Sequence, residues 1–209
     1  MIGPYPEFVW FILSANFMRV LLSALLCGFP LSIAFAAAPD DPAIREKAQV
    51  CVVCHGPNGN SQNPDYPILA GQSWRYVYVQ LKDFKEGRRS NPLMSPMAAN
   101  LSRDDMIALG NFFAAQKPQT IAFKAEGVRV EAGKKVADAV LCPMCHLGGF
   151  VGQNEIPRVA GQYPQYVKKQ LNDFKARRRT NDAGNMTSVA GTLSDEDIEN
   201  LSHYIANLN

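Results

Sequence analysis

The sequence predicts an all-α fold built as two tandem copies of one small helical domain. Three observations carry that expectation. The chain repeats itself: Pro67-Ile68-Leu69-Ala70-Gly71-Gln72 is matched by Pro157-Arg158-Val159-Ala160-Gly161-Gln162, and Gln80-Leu81-Lys82-Asp83-Phe84-Lys85 by Gln170-Leu171-Asn172-Asp173-Phe174-Lys175. Apolar residues recur at helical spacing, and no alternating strand pattern competes. Near the end of each copy, Leu101-Ser102 and Leu193-Ser194 introduce the same kind of helix start.

The elements follow in order. Asp41 before Pro42 reads as an N-cap and a first helical residue, opening a helix that runs towards Cys51. Trp74, Val77, Tyr78, Leu81 and Phe84 mark the middle helix of the first half, and Val167, Leu171 and Phe174 mark its counterpart. Ser102-Arg103-Asp104-Asp105 and Ser194-Asp195-Glu196-Asp197 are capping-box starts. The first opens a helix carrying Met106, Leu109 and Phe113, and the second one carrying Ile198, Leu201 and Ile205. Tyr76-Val77 and Arg88-Arg89-Ser90-Asn91 recur as Tyr166-Val167 and Arg178-Arg179-Thr180-Asn181, so the connecting loops differ by only one or two residues. The expected domains are 37–118 and 124–209, with Lys117-Pro118-Gln119-Thr120 leading into a linker over 119–123.

Composition bounds the function. The 209 residues are 47% hydrophobic, which suits a soluble globular protein of one or two domains. A net charge of +2 gives no support for binding nucleic acid or other polyanions. The N-terminus reads as a targeting segment: Met18-Arg19, an apolar run from Val20 to Phe35, then Ala34-Phe35-Ala36 as a cleavage site. A signal peptide over 1–36 is expected, with 1–17 as an upstream extension that reflects a misassigned start codon. A retained anchor competes with cleavage, because Val20 to Ala38 approaches the roughly 20 apolar residues that span a bilayer. Cys27 lacks the small preceding residue of a lipoprotein site and is read as part of the discarded signal.

Four of the five cysteines lie in two Cys-x-x-Cys-His pentapeptides, Cys51-Val52-Val53-Cys54-His55 and Cys142-Pro143-Met144-Cys145-His146. Disulfide stapling is therefore not the theme. Each pentapeptide can hold one haem covalently. Its thiols, Cys51 and Cys54 or Cys142 and Cys145, reach two vinyl groups on one porphyrin edge, and His55 or His146 turns its imidazole to the iron. The fold expected is thus a small helical domain around one covalent haem, twice over, with each porphyrin completing a core too small to be closed by side chains alone.

The opposite face of each iron needs a ligand. Of three histidines, two are already used. The third, His203, lies in the last helix and is read as a surface residue. Methionine is the remaining soft donor. Met94 precedes Leu101 by seven residues and Met186 precedes Leu193 by seven, whereas Met97 aligns with Val189. Met94 and Met186 are therefore assigned to iron, with Met97 packing near the haem edge. A neutral thioether favours ferrous iron and fills the coordination sphere, which is the chemistry of an electron carrier, not of a site that binds a small-molecule substrate. The basic runs Arg88-Arg89 and Arg177-Arg178-Arg179 are most simply solvated residues at helix C-termini. The sharper alternative is a clamp on haem propionates, or a docking surface for an acidic partner.

This constellation resembles the dihaem cytochrome c4 family over essentially all of residues 40–209. The resemblance rests on both pentapeptides, the paired Pro-x-x-Ala-Gly-Gln segments, the Gln-Leu-x-Asp-Phe-Lys helices and the Met…Leu-Ser endings. It implies two class I cytochrome c domains related by a pseudo-twofold axis, with propionate edges facing each other. It implies that Pro67 and Pro157 offer their carbonyls to the proximal imidazoles. It also implies a periplasmic carrier, often membrane-associated, that takes electrons from a redox protein and passes them towards a haem–copper terminal oxidase. Covalent haem attachment outside the inner membrane fits the export signal. Rival readings are an electron-accepting subunit of a flavocytochrome or other periplasmic dehydrogenase, a dihaem peroxidase, and a zinc protein built on the Cys pairs.

Overall fold

A computed structural model describes residues 41–208. The expected targeting segment, with Cys27 and the expected cleavage site after Ala36, lies outside the described residues. The described residues carry α-helices and short turns, with a single isolated bridge between Gln153 and Ile156 and no strand.

The first half contains α1 (Pro42–His55), α2 (Trp74–Lys85), α3 (Met94–Ala98) and α4 (Arg103–Ala114). Asp41 caps α1 by accepting from Ala43 N–H at 2.9 Å, with Pro42 at the first position. The second half contains α5 (Gly127–Ala139), α6 (Cys142–His146), α7 (Pro164–Lys175), α8 (Asn185–Gly191) and α9 (Asp195–Ala206). Both expected capping boxes are formed, Ser102 with Asp105 and Ser194 with Asp197.

Each half has its own apolar core. Ile44, Ala48, Val77, Leu109, Phe112 and Phe113 form the first, and Cys51 packs against it. Phe150, Val167, Leu171, Ile198, Leu201 and Ile205 lie in the second, against which Cys142 and Met186 pack. In the second half α5 crosses α9 closely enough that a Cβ on Gly133 would meet the Asn200 carbonyl at 2.2 Å, so glycine is needed there.

The halves meet through reciprocal bonds of the kind a two-fold relation generates. Gln72 of the first half donates to the Arg158 carbonyl at 2.8 Å, and Gln162 of the second donates to the Ile68 carbonyl at 3.1 Å. Arg89 reaches Tyr166 and Gln170, and Arg179 reaches Tyr76 and Gln80. The segment between the halves is tied down by Asn60, which donates to the Lys117 carbonyl at 3.1 Å and accepts from Gln119 N–H at 2.8 Å.

The arginine runs divide in a way the sequence reading did not foresee. Arg88 and Arg178 are solvated and pair with Asp83 and Asp173. Arg89 and Arg179 turn inward, each stacking on a phenylalanine (Phe84 at 4.6 Å, Phe174 at 4.5 Å). His203 also departs from expectation. It is buried, accepts from Glu126 N–H at 3.1 Å through Nδ1 and meets Phe123 edge-on at 5.1 Å. It therefore anchors the entry to α5 and is not a surface residue.

Candidate haem sites

The first pentapeptide ends a long helix and the second forms a short helix of its own. α1 runs unbroken through Cys51, Cys54 and His55, while in the second half Leu141, in the left-handed region at φ 61°, separates α5 from α6. The chain then turns sharply beyond each histidine. Gly56 adopts φ 73°, ψ 168°, and a Cβ there would meet the Asn60 carbonyl at 2.1 Å. Leu147 adopts nearly the same conformation, φ 63°, ψ 168°, with a side chain present. The shared turn brings the following proline back over the imidazole.

That return fixes both histidines. His55 and His146 are buried, and their Nδ1 atoms lie 2.8 Å from the Pro67 carbonyl and 2.9 Å from the Pro157 carbonyl. A carbonyl only accepts, so in both rings Nδ1 carries the proton and Nε2 holds a free lone pair. Burial pushes both imidazoles below their ordinary pKa, against the smaller opposing effect of the proline carbonyls, which keeps the rings neutral. His55 Nε2 is buried without any hydrogen-bond partner, which a folded protein tolerates poorly unless something absent from the polypeptide fills the place. An iron ion is such a partner.

The four thiols form no disulfide. Burial, reinforced by Cys54, pushes the Cys51 thiol up, and burial does the same at Cys142. Both stay protonated at neutral pH, as thiols that would supply thioether links to a haem. Among the described residues no three His, Cys, Asp or Glu side chains gather to share a cation. The donor set suits haem: two thiols, one neutral imidazole and an apolar surround.

The methionines are placed by short helices. Met94 starts α3, its N–H donating to Asn91 Oδ1 at 2.9 Å, and it is half-buried. Met186 lies in the first turn of α8 against the second core, and Asp182 accepts from Thr187 N–H at 2.6 Å in the same turn. Met97 is 47% exposed and Met144, between its cysteines, 71%. Sequence reasoning missed Tyr66, which meets His55 edge-on at 6.4 Å, and Phe150, which stacks with His146 at 6.3 Å. It also passed over Gln72 and Gln162, although their identity in the two halves was a signal.

Helical halves with this proline-held histidine beside paired thiols define a tandem c-type cytochrome. The profile of the cytochrome c family matches residues 46–116 and again 130–209. Cytochrome c4 of Pseudomonas aeruginosa is 38% identical over 203 residues, covering 91% of this chain and 100% of that protein. The crystal structure of reduced recombinant cytochrome c4 from Pseudomonas stutzeri superposes with a TM-score of 0.76 at 36% identity, over 82% of this chain and 100% of that one. A protein of Stutzerimonas stutzeri described as a thiosulfate dehydrogenase electron acceptor is 34% identical, covering 77% of this chain and 80% of its own length. The chain belongs to the cytochrome c4 family. It is an electron-transfer protein that carries two covalent haem c groups.

Proposed function

We propose that this chain is an exported, periplasmic carrier that moves single electrons through two His/Met-ligated haems towards a haem–copper terminal oxidase. Cys51 and Cys54 anchor one haem between His55 and Met94, in a domain spanning 37–118. Cys142 and Cys145 anchor the other between His146 and Met186, in a domain spanning 124–209. The observation that carries this reading is the imidazole pair: each ring is neutral, held by a proline carbonyl through Nδ1, and at His55 presents an unpartnered buried Nε2.

Haem bound in this way supplies reversible ferric–ferrous chemistry. The protein's part is to fix the ligands and to keep water and substrates from the metal. The proline carbonyls hold the imidazole planes, so little moves when charge changes. Asn91 and Asp182 fix the turns that present Met94 and Met186, and the exposure of Met97 supports its exclusion. Arg89 and Arg179 bring two positive charges to the contact between halves, and their hydrogen bonds go to neutral oxygens of Gln80, Gln170, Tyr76, Tyr166 and Asn181. Haem propionates are the anions that would balance them. Export rests on the sequence of residues 18–36; among the described residues no helix is long and apolar enough to cross a membrane.

A second reading has this protein collecting electrons from a dedicated dehydrogenase. The relative described as a thiosulfate dehydrogenase electron acceptor favours it. Stopped-flow mixing separates the two. Prompt, cyanide-sensitive reoxidation of the reduced holoprotein by membranes holding a haem–copper oxidase supports the first. No reaction there, with rapid reduction by thiosulfate and its dehydrogenase, would replace it with the second.

A further inference from the structure

Two glutamines link each proximal histidine to the opposite half of the molecule. Gln162 is buried at 8% exposure and Gln72 at 6%. The Gln162 side-chain oxygen accepts from Ile68 N–H at 3.0 Å and from Tyr163 N–H at 3.1 Å, while its Nε2 donates to the Ile68 carbonyl at 3.1 Å. The Gln72 oxygen accepts from Arg158 N–H at 2.8 Å and from Ser73 N–H at 3.0 Å, while its Nε2 donates to the Arg158 carbonyl at 2.8 Å. Two N–H groups face one end of each amide and a carbonyl faces the other, so the orientation is fixed by the partners.

The Ile68 N–H belongs to the same planar peptide as the Pro67 carbonyl, and that carbonyl accepts from His55 Nδ1. The Arg158 N–H likewise shares a peptide with the Pro157 carbonyl, the acceptor for His146. A peptide that donates through its N–H gains electron density on its oxygen, a cooperative strengthening of about 10–30% per bond. A stronger acceptor pulls harder on Nδ1–H and makes the imidazole a more electron-rich ligand, which favours ferric iron.

We propose that Gln162 and Gln72 are positioning residues that act crosswise: the second half sets the basicity of His55, and the first half sets that of His146. Each iron's potential then depends on whether the other half is docked. The inference rests on His55 and His146 being the iron ligands.

The test uses the holoprotein with Gln162→Met and Gln72→Met. In the reduced, diamagnetic state, Gln162→Met should move the His55 Nδ1–H proton resonance upfield and raise the potential of that haem alone. Gln72→Met should do the same at His146. Tyr163→Phe removes a bond between halves (Tyr163 Oη to the Ser61 carbonyl, 2.8 Å) without touching either peptide, and should move neither. If Gln162→Met does not accumulate, Gln162→Glu keeps an acceptor for Ile68 N–H and should lower the same potential. Shifts at the same-side haem, equal shifts at both, or none would overturn the proposal. Absence of any proline-bonded Nδ1–H resonance in the unaltered protein would instead refute the ligand assignment.

Discussion

At the scale of the residue, a buried imidazole nitrogen without a partner costs about 1–3 kcal/mol. His55 Nε2 is such an atom, and its Nδ1 is already committed to Pro67. The proposed ligation by Met94 fits the difference between the methionines, since Met94 is half-buried and Met97 is exposed. Met94→Ala should abolish the weak red absorption of thioether on ferric iron at one haem and lower that haem's potential, whereas Met97→Ala should leave both unchanged. Oxidised-state spectra with potentiometry check this, and the reverse pattern would transfer the assignment. Leu147 holds a conformation, φ 63° and ψ 168°, that its counterpart Gly56 adopts freely. Such strain costs roughly 1–3 kcal/mol, against about 0.5–1 kcal/mol for glycine's greater freedom when unfolded. Leu147→Gly should therefore raise stability by about 1 kcal/mol in denaturant melts.

At the scale of the element, helix caps and apolar spacing were readable because they are local. Asp41, both capping boxes and the faces of α2, α4, α7 and α9 follow from neighbouring residues. One consequence depends on pH. Hydrogen bonds from Lys47 and then Ser102 hold the Asp105 carboxyl at about 2. An unfolded aspartate titrates near pH 4, about 3.9. The folded value is the lower one, so Asp105 stabilises the protein fully above that range and the contribution is lost as pH falls towards about 2. Asp105→Asn should flatten the fall of melting temperature across this window; an unchanged slope would contradict it. What the sequence hid has physical causes too. α5 has no side-chain cap and carries Gly133 in its interior, so propensity argued against it until packing on α9 required that glycine. α3 and α8 are too short for a periodic signal and depend on Asn91 and Asp182. The burial of His203 comes from contacts with Glu126 and Phe123, far away in sequence.

At the scale of the whole molecule, the paired glutamines and arginines make two halves into one electrostatic unit. Burial alone would raise the Tyr76 phenol, but the Arg179 and Arg89 guanidiniums outweigh it and hold the phenol below its ordinary value. The same field favours electron uptake at any nearby metal. Arg179→Gln should therefore lower both haem potentials, unlike the glutamine variants, which address one haem each; potentiometry with no shift at either haem would contradict it. The account as a whole requires both irons to be closed on each face by protein atoms. An optical redox titration of the holoprotein, with covalent haem counted and the reduced form exposed to carbon monoxide, tests that most directly. Two attached haems per chain, both low-spin, each titrating as a one-electron centre and indifferent to carbon monoxide, are predicted. Fewer than two attached haems, or ready carbon monoxide binding by the reduced protein, would contradict it.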